Sequence, residues 1–127
     1  MALRPSFTPG DTLTAANMNT LANGLVSVSA QTGTAYTIGT ADVGKLVTVN
    51  NAAAQTITVP ANASVAFAIG DQVNFLNLST GTATFAAAGT AVIRSAGSKL
   101  KLSDQYAVCT VLKIDTDAWV MLGNVKA

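Results

Sequence analysis

The sequence contains no histidine and no glutamate. Without imidazole there is no ordinary general base at neutral pH, no Ser-His-Asp set and no histidine ligand for a metal. All six acidic residues are aspartates, standing singly or in turns. Glycoside hydrolysis normally needs two carboxylates at a fixed separation. Asp115 and Asp117, which flank Thr116, are too few ligands for a strong calcium loop and read as a plain turn. Gly33, Gly39, Gly44, Gly70 and Gly89 mark turns, and none completes a phosphate-binding fingerprint. With no base to activate them, the many Ser, Thr and Asn residues read as strand-surface and turn positions. The expectation is a protein that is not an enzyme and uses neither cofactor nor metal.

Charge is scarce as well. Only 10% of the 127 residues are charged and the net charge is +1, against roughly a quarter charged in ordinary soluble domains. No Lys/Arg run forms a footprint for nucleic acid or for a membrane surface. No apolar run reaches the 18 or so residues of a spanning helix. Pro5, Pro9 and Asp11 interrupt the stretch where a signal peptide needs unbroken apolar residues, so synthesis and retention in the cytosol are expected. The single cysteine, Cys109, excludes an internal disulfide and reads as a packed, inert thiol.

Half the residues are hydrophobic but aromatics are only 6%, so the core uses mainly small side chains. A single domain of this size buries a core without staples. So few charges leave little material for a fully solvated surface, and burial against other subunits resolves the conflict. Closed rotational symmetry is the usual way to hide such a surface without open filaments.

The segment from Gln105 to Gly123 organises the chain. Tyr106, Val108, Thr110, Leu112 and Ile114 fall on one face of an extended strand, while Ala107, Cys109, Val111 and Lys113 take the other. Both faces are largely apolar, as in a strand covered on both sides. Asp115-Thr116-Asp117 then turns the chain, and Ala118–Leu122 returns as the second arm of a hairpin. Tyr106 and Trp119 are the expected core anchors, Trp119 by its size.

Upstream, residues 1–24 form an extended Pro-rich arm and one short helix. Thr14 caps it, Leu13 and Met18 have hydrophobic-staple spacing, and Gly24 ends it. Such a helix is too short to stand alone in water. Phe7, Leu13, Met18 and Leu21 are the groups that fill pockets on a partner, so the arm is the expected attachment device. Residues 25–34 are a linker or a weak edge strand. Residues 35–127 carry strand signals about every ten residues, including Ala66–Ile69, with Asn50-Asn51 and Ser79-Thr80-Gly81 as hairpin tips. The fold class is all-β, an antiparallel sandwich or barrel-like domain of about 8–10 short strands.

The runs Tyr36-Thr-Ile38, Ala41-Asp-Val-Gly-Lys-Leu-Val-Thr-Val-Asn50 and Thr56-Ile-Thr-Val-Pro60 resemble a β-rich module of tailed-bacteriophage virion proteins. Ile69-Gly-Asp-Gln-Val-Asn-Phe75, Gly81-Thr-Ala-Thr-Phe85 and the closing Tyr106…Trp119-Val-Met-Leu-Gly123 continue it in order. Phe7-Thr-Pro-Gly-Asp-Thr-Leu-Thr-Ala-Ala-Asn-Met-Asn19 is similar to a leader on phage fibre proteins. The resemblance implies a structural protein, generally a homotrimer, on the surface of a phage particle and made in the host cytoplasm. Its partners would be itself and the major capsid protein or a tail protein, with no nucleic acid and no membrane. The expected role is capsid decoration (head-fibre-like), anchored to the shell by the N-terminal arm. The alternative is a short tail fibre or tail-tip component that binds a host surface receptor. No long shaft follows the module, which favours the small surface protein.

Overall fold

The computed structural model describes Ala15, residues 27–102 and residues 104–127. Ala15 is helical and exposed; Phe7, Leu13, Met18 and Leu21, the expected attachment residues, lie outside the described residues.

The described chain is all-β. Eleven strands run in the order β1 (Val28–Gln31), β2 (Ala35–Thr37), β3 (Leu46–Val49), β4 (Gln55–Val59), β5 (Gln72–Asn77), β6 (Ala83–Ala87), β7 (Val92–Ser95), β8 (Lys101–Leu102), β9 (Val108–Asp115), β10 (Ala118–Gly123) and β11 (Val125–Lys126). They form a six-stranded sheet ordered β1-β3-β5-β9-β10-β7 and a five-stranded sheet ordered β11-β8-β6-β4-β2. Period-two alternation builds most of them. In β5, for example, Val73, Phe75 and Asn77 are buried while Gln72, Asn74 and Leu76 face outward. Pro60 follows β4 directly, where it cannot donate to a sheet ladder.

The expected antiparallel arrangement is corrected. From β1 to β8 each successive strand enters the opposite sheet, so strands that neighbour within a sheet are not consecutive in the chain. Up to β7, a strand that crosses over and returns re-enters its sheet running the same way, whereas β8 reverses against β6. Hence β1, β3 and β5 pair in parallel, as do β2, β4 and β6, and β7 pairs in parallel with β10. Leu46 lies beside Asn74 and Gln55 beside Ala83, an offset of 28 residues (46 to 74, 55 to 83) in both sheets. Asn50-Asn51 and Ser79–Gly81 are therefore corners where the chain crosses between sheets, not hairpin tips. Antiparallel pairing is confined to β5–β9, β9–β10, β6–β8 and β8–β11.

One open reading resolves and one expectation changes. The segment 25–34 contains β1, an edge strand on β3. Ala66–Ile69 forms no strand: Phe67 is buried and Ile69 is exposed in a turn that leads to β5.

One core lies between the sheets. Val47, Phe75, Cys109, Val111, Trp119 and Met121 enter it from the six-stranded sheet, and Ile57, Val59, Ala83, Phe85 and Leu102 from the five-stranded one. Phe75 meets Phe85 across the gap edge to face, with ring centroids 4.9 Å apart, a favoured aromatic geometry. Among the described residues, no helix is long and apolar enough to cross a membrane.

Candidate functional site

Strand β9 decides which of its faces is core. Cys109, Val111 and Lys113 are buried, whereas Val108 and Ile114 are exposed. Tyr106, expected as a core anchor, shares the phase of the outward face and is 67% exposed. Its φ of +66° also takes it out of the strand. Trp119 is 1% exposed. It meets Phe67 edge to face at 5.1 Å between centroids.

The burial of Lys113, 2% exposed, was not legible from its position at the strand's end. Its Nζ donates to Asn62 Oδ1 at 2.7 Å and to the Phe67 carbonyl at 2.8 Å. A buried ammonium needs such acceptors to offset its desolvation. Asn62 is held from its other side, its N–H donating to Asp117 Oδ1 at 2.7 Å. Thr90 Oγ1 donates to Asp117 Oδ2 at 2.8 Å. The Asn62 N–H, then the Thr90 hydroxyl, hold the Asp117 carboxyl below its ordinary 3.8, with Lys113 adding to the effect. The set latches the β9–β10 turn to two loops that join the sheets.

A second polar pair sits near the start of the chain's winding. Tyr36 Oη donates to Asp42 Oδ2 at 2.6 Å, and the Gly39 N–H donates to the same oxygen at 2.9 Å. Burial, then the hydrogen bond and charge of Asp42, push the Tyr36 phenol up to about 12. Burial alone pushes the Cys109 thiol up to about 12, so the folded protein holds it as an unreactive thiol. Both folded values exceed the ordinary ones of 10.0 and 9.0. The stability these groups contribute is therefore complete below about pH 9 and is lost as pH rises from there through about 12. Thermal melts across this window should show a falling melting temperature. Tyr36→Phe, which has no phenol to ionise, should flatten the part above pH 10; an unchanged profile would count against the Tyr36 contribution.

Two surface features stand out. The first is the outer face of the six-stranded sheet. Paired residues share a face, so Val28, Leu46, Asn74, Thr110 and Leu122 form one outward row across five strands. Thr48, Leu76 and Val108 form the next. Val28, Val92, Val108, Ile114 and Leu122 are five of the seven large hydrophobic residues exposed among the described residues, and all lie on this face. Thr110 Oγ1 donates to Asn74 Oδ1 at 2.7 Å in its middle, so these polar groups satisfy each other. Among the outward strand residues of this sheet, Arg94 at the β7 edge carries the one charge.

The second is a groove of about 350 Å³ beyond the end of β5. Asn77, Gly81 and Leu102, all buried, form its floor. Thr80, Thr82, Asp104, Gln105, Tyr106 and Lys126 of β11 complete its lining. The turn that carries Tyr106 is clamped by four bonds: Tyr106 N–H to the Asn77 carbonyl at 2.6 Å, Asn77 N–H to the Ala107 carbonyl at 3.0 Å, Ala107 N–H to the Asp104 carbonyl at 3.1 Å, and Gln105 Nε2 to the Leu78 carbonyl at 3.1 Å. A bulky residue in left-handed backbone costs about 1–3 kcal/mol. The sequence signal for this groove was absent, because residues near 80, 104 and 126 meet only through pairing of the sheets' ends.

Among the described residues, no group of three or more His, Cys, Asp or Glu side chains is placed to hold a metal ion. Comparison with known proteins finds no matching family model, no matching curated protein and no matching solved structure.

Proposed function

We propose that the protein is a non-enzymatic structural subunit that acts as a homotrimer, with its two sheets packed as a sandwich and the outer face of the six-stranded sheet turned toward the three-fold axis. The observation that carries this reading is that face: nearly uncharged, and holding five of the seven exposed large hydrophobic residues among the described residues. Six strands at about 4.8 Å and some five residues at about 3.3 Å each give a face of roughly 29 by 17 Å, near 500 Å². This is the footprint of the whole face, with Gln72, Asn74, Thr48, Thr110 and Arg94 among its residues; the large apolar patches of a monomer are often functional. Apolar contacts between copies around the axis need no matched charges, and this face offers none except Arg94.

The resemblance of the sequence to phage virion modules sets the biological role within this reading: decoration of a bacteriophage capsid, with residues 1–24 as the anchor to the shell. The alternative is a short tail fibre or tail-tip component. Light scattering of the purified protein should give three times the chain mass. Leu122→Asp places a carboxylate in the middle row of the face, where apposed copies would bring like charges together. Because Leu122 is 51% exposed, the variant should stay folded and become monomeric. A wild-type monomer at micromolar concentration, or a variant that remains trimeric, would sink the proposal. Pelleting of full-length and 1–24-truncated protein with particles that lack it tests the anchor; equal co-sedimentation would remove the arm from that role.

A further inference from the structure

We propose that the groove around Tyr106 is a binding site for a neutral saccharide, a use of the molecule separate from its self-association. The starting observation is that Tyr106 is held where the fold gains little from it. Its backbone is left-handed, the residue is 67% exposed, and it is absent from the core that Ala107 and Cys109 enter. Glycine or asparagine would make the same turn without strain. Strain kept at an exposed aromatic on a groove rim points to a ligand.

The walls specify the ligand's chemistry. The Tyr106 ring offers an apolar face with a polar tip, suited to the C–H face of a pyranose ring. Asp104 supplies a carboxylate acceptor, Lys126 an ammonium donor, and the Thr80 and Thr82 hydroxyls can do either. Sugar hydroxyls need that mixture of donors and acceptors. One aspartate and one lysine cancel, so a phosphate or sulfate ligand would meet a carboxylate beside its single cation. A wholly apolar ligand would desolvate these walls without replacing their hydrogen bonds. The volume of about 350 Å³ lies in the range of ligand sites and has room for a mono- or disaccharide.

The floor is rigid. Asn77 Nδ2 donates to the Gly81 carbonyl at 3.0 Å and Asn77 Oδ1 accepts the Ser79 N–H at 3.1 Å. The groove is thus preformed and its orientation fixed, which lowers the ordering cost of binding.

Saturation-transfer NMR on the full chain tests the proposal with methyl α-glucoside, methyl β-galactoside, N-acetylglucosamine and maltose, and with AMP as the anionic, aromatic control. At least one saccharide should receive saturation from the protein. Tyr106→Gly should weaken its binding roughly two- to tenfold, the scale of one lost aromatic contact, while leaving the melting temperature unchanged or raised because the strain is relieved. Tyr106→Phe should retain binding, and Asp104→Asn should reduce it without unfolding the protein. Saturation of none of the four sugars, or of AMP alone, would overturn the proposal. So would saccharide binding that survives Tyr106→Gly, or a Tyr106→Gly protein that melts clearly lower, since the ring would then be serving the fold. None of these results depends on the trimer, because oligomeric state is read separately by light scattering.

Discussion

Trp119→Ala should lower stability by about 3–5 kcal/mol, the range for removing a large buried aromatic. Trp119 is the largest fully buried side chain among the described residues and stacks edge to face on Phe67. It stands opposite Lys113 on one side and Ile93 on the other, so no single neighbour can collapse into the space it leaves. Whole-domain stabilities are only about 5–15 kcal/mol, so the variant should melt roughly 10–20 °C lower. Trp119→Phe keeps part of the volume and should cost clearly less. Calorimetry or circular dichroism on both variants checks this, and an unchanged melting temperature for Trp119→Ala would remove the residue from its anchoring role. A double-mutant cycle with Phe67→Ala would isolate the aromatic contact, expected at about 0.5–1.5 kcal/mol beyond area burial.

Gly81→Ala should be nearly as damaging, at about 3 kcal/mol or more, for a reason of another kind. A Cβ at this position would run into the backbone carbonyls of Asn51 and Ala53. These atoms belong to the β3–β4 corner, and neither is the far end of a side chain that could swing away. The corner is pinned besides: Gln55 Nε2 donates to the Asn51 carbonyl at 2.8 Å, the Gln55 N–H to the Thr82 carbonyl at 2.8 Å, and the Ala53 N–H to Asn51 Oδ1 at 2.9 Å. Overpacking against backbone that cannot shift lies at or above the upper end of the usual 1–3 kcal/mol. Gly39 provides the control. A Cβ there meets nothing within 4 Å, and its φ of −128° is ordinary extended backbone. Gly39→Ala should therefore stay within about 0.5 kcal/mol of the parent. Equal chemical denaturation midpoints for Gly81→Ala and the parent would show that the two corners are not in the contact described.

Gly81 also shows where sequence reading ends. Its place between strand signals suggested a hairpin tip, where a glycine can take positive φ. It is not among the positive-φ glycines, and the constraint comes from a corner some 28 residues earlier in the winding. That contact exists only because β3–β4 and β5–β6 stack as successive turns between two sheets. Parallel pairing is made by main-chain bonds, which every residue except proline can offer, so an offset of 28 residues leaves no mark in side-chain composition.

Local chemistry was enough for other features. Alternation of apolar and polar residues established an all-β chain, and Asp115-Thr116-Asp117 marked the turn between β9 and β10, which pair across it. The scarcity of charge has a counterpart on the outer face of the six-stranded sheet, where Arg94 is the one charged outward strand residue. Period two in β9 separated its side chains correctly into two sets, Tyr106 through Ile114 and Ala107 through Lys113. It could not say which set is core, since both are mostly apolar and the choice depends on which side the second sheet covers. Tertiary structure made that choice: it turned Lys113 inward to meet Asn62 and Phe67, and left Tyr106 exposed at the rim of a groove. The sequence by itself determined the all-β class and the two faces of a strand such as β9. What covers each face, and which distant residues meet at the ends of the sheets, was decided only by how the strands pair, because that pairing is set by long-range packing and main-chain bonds.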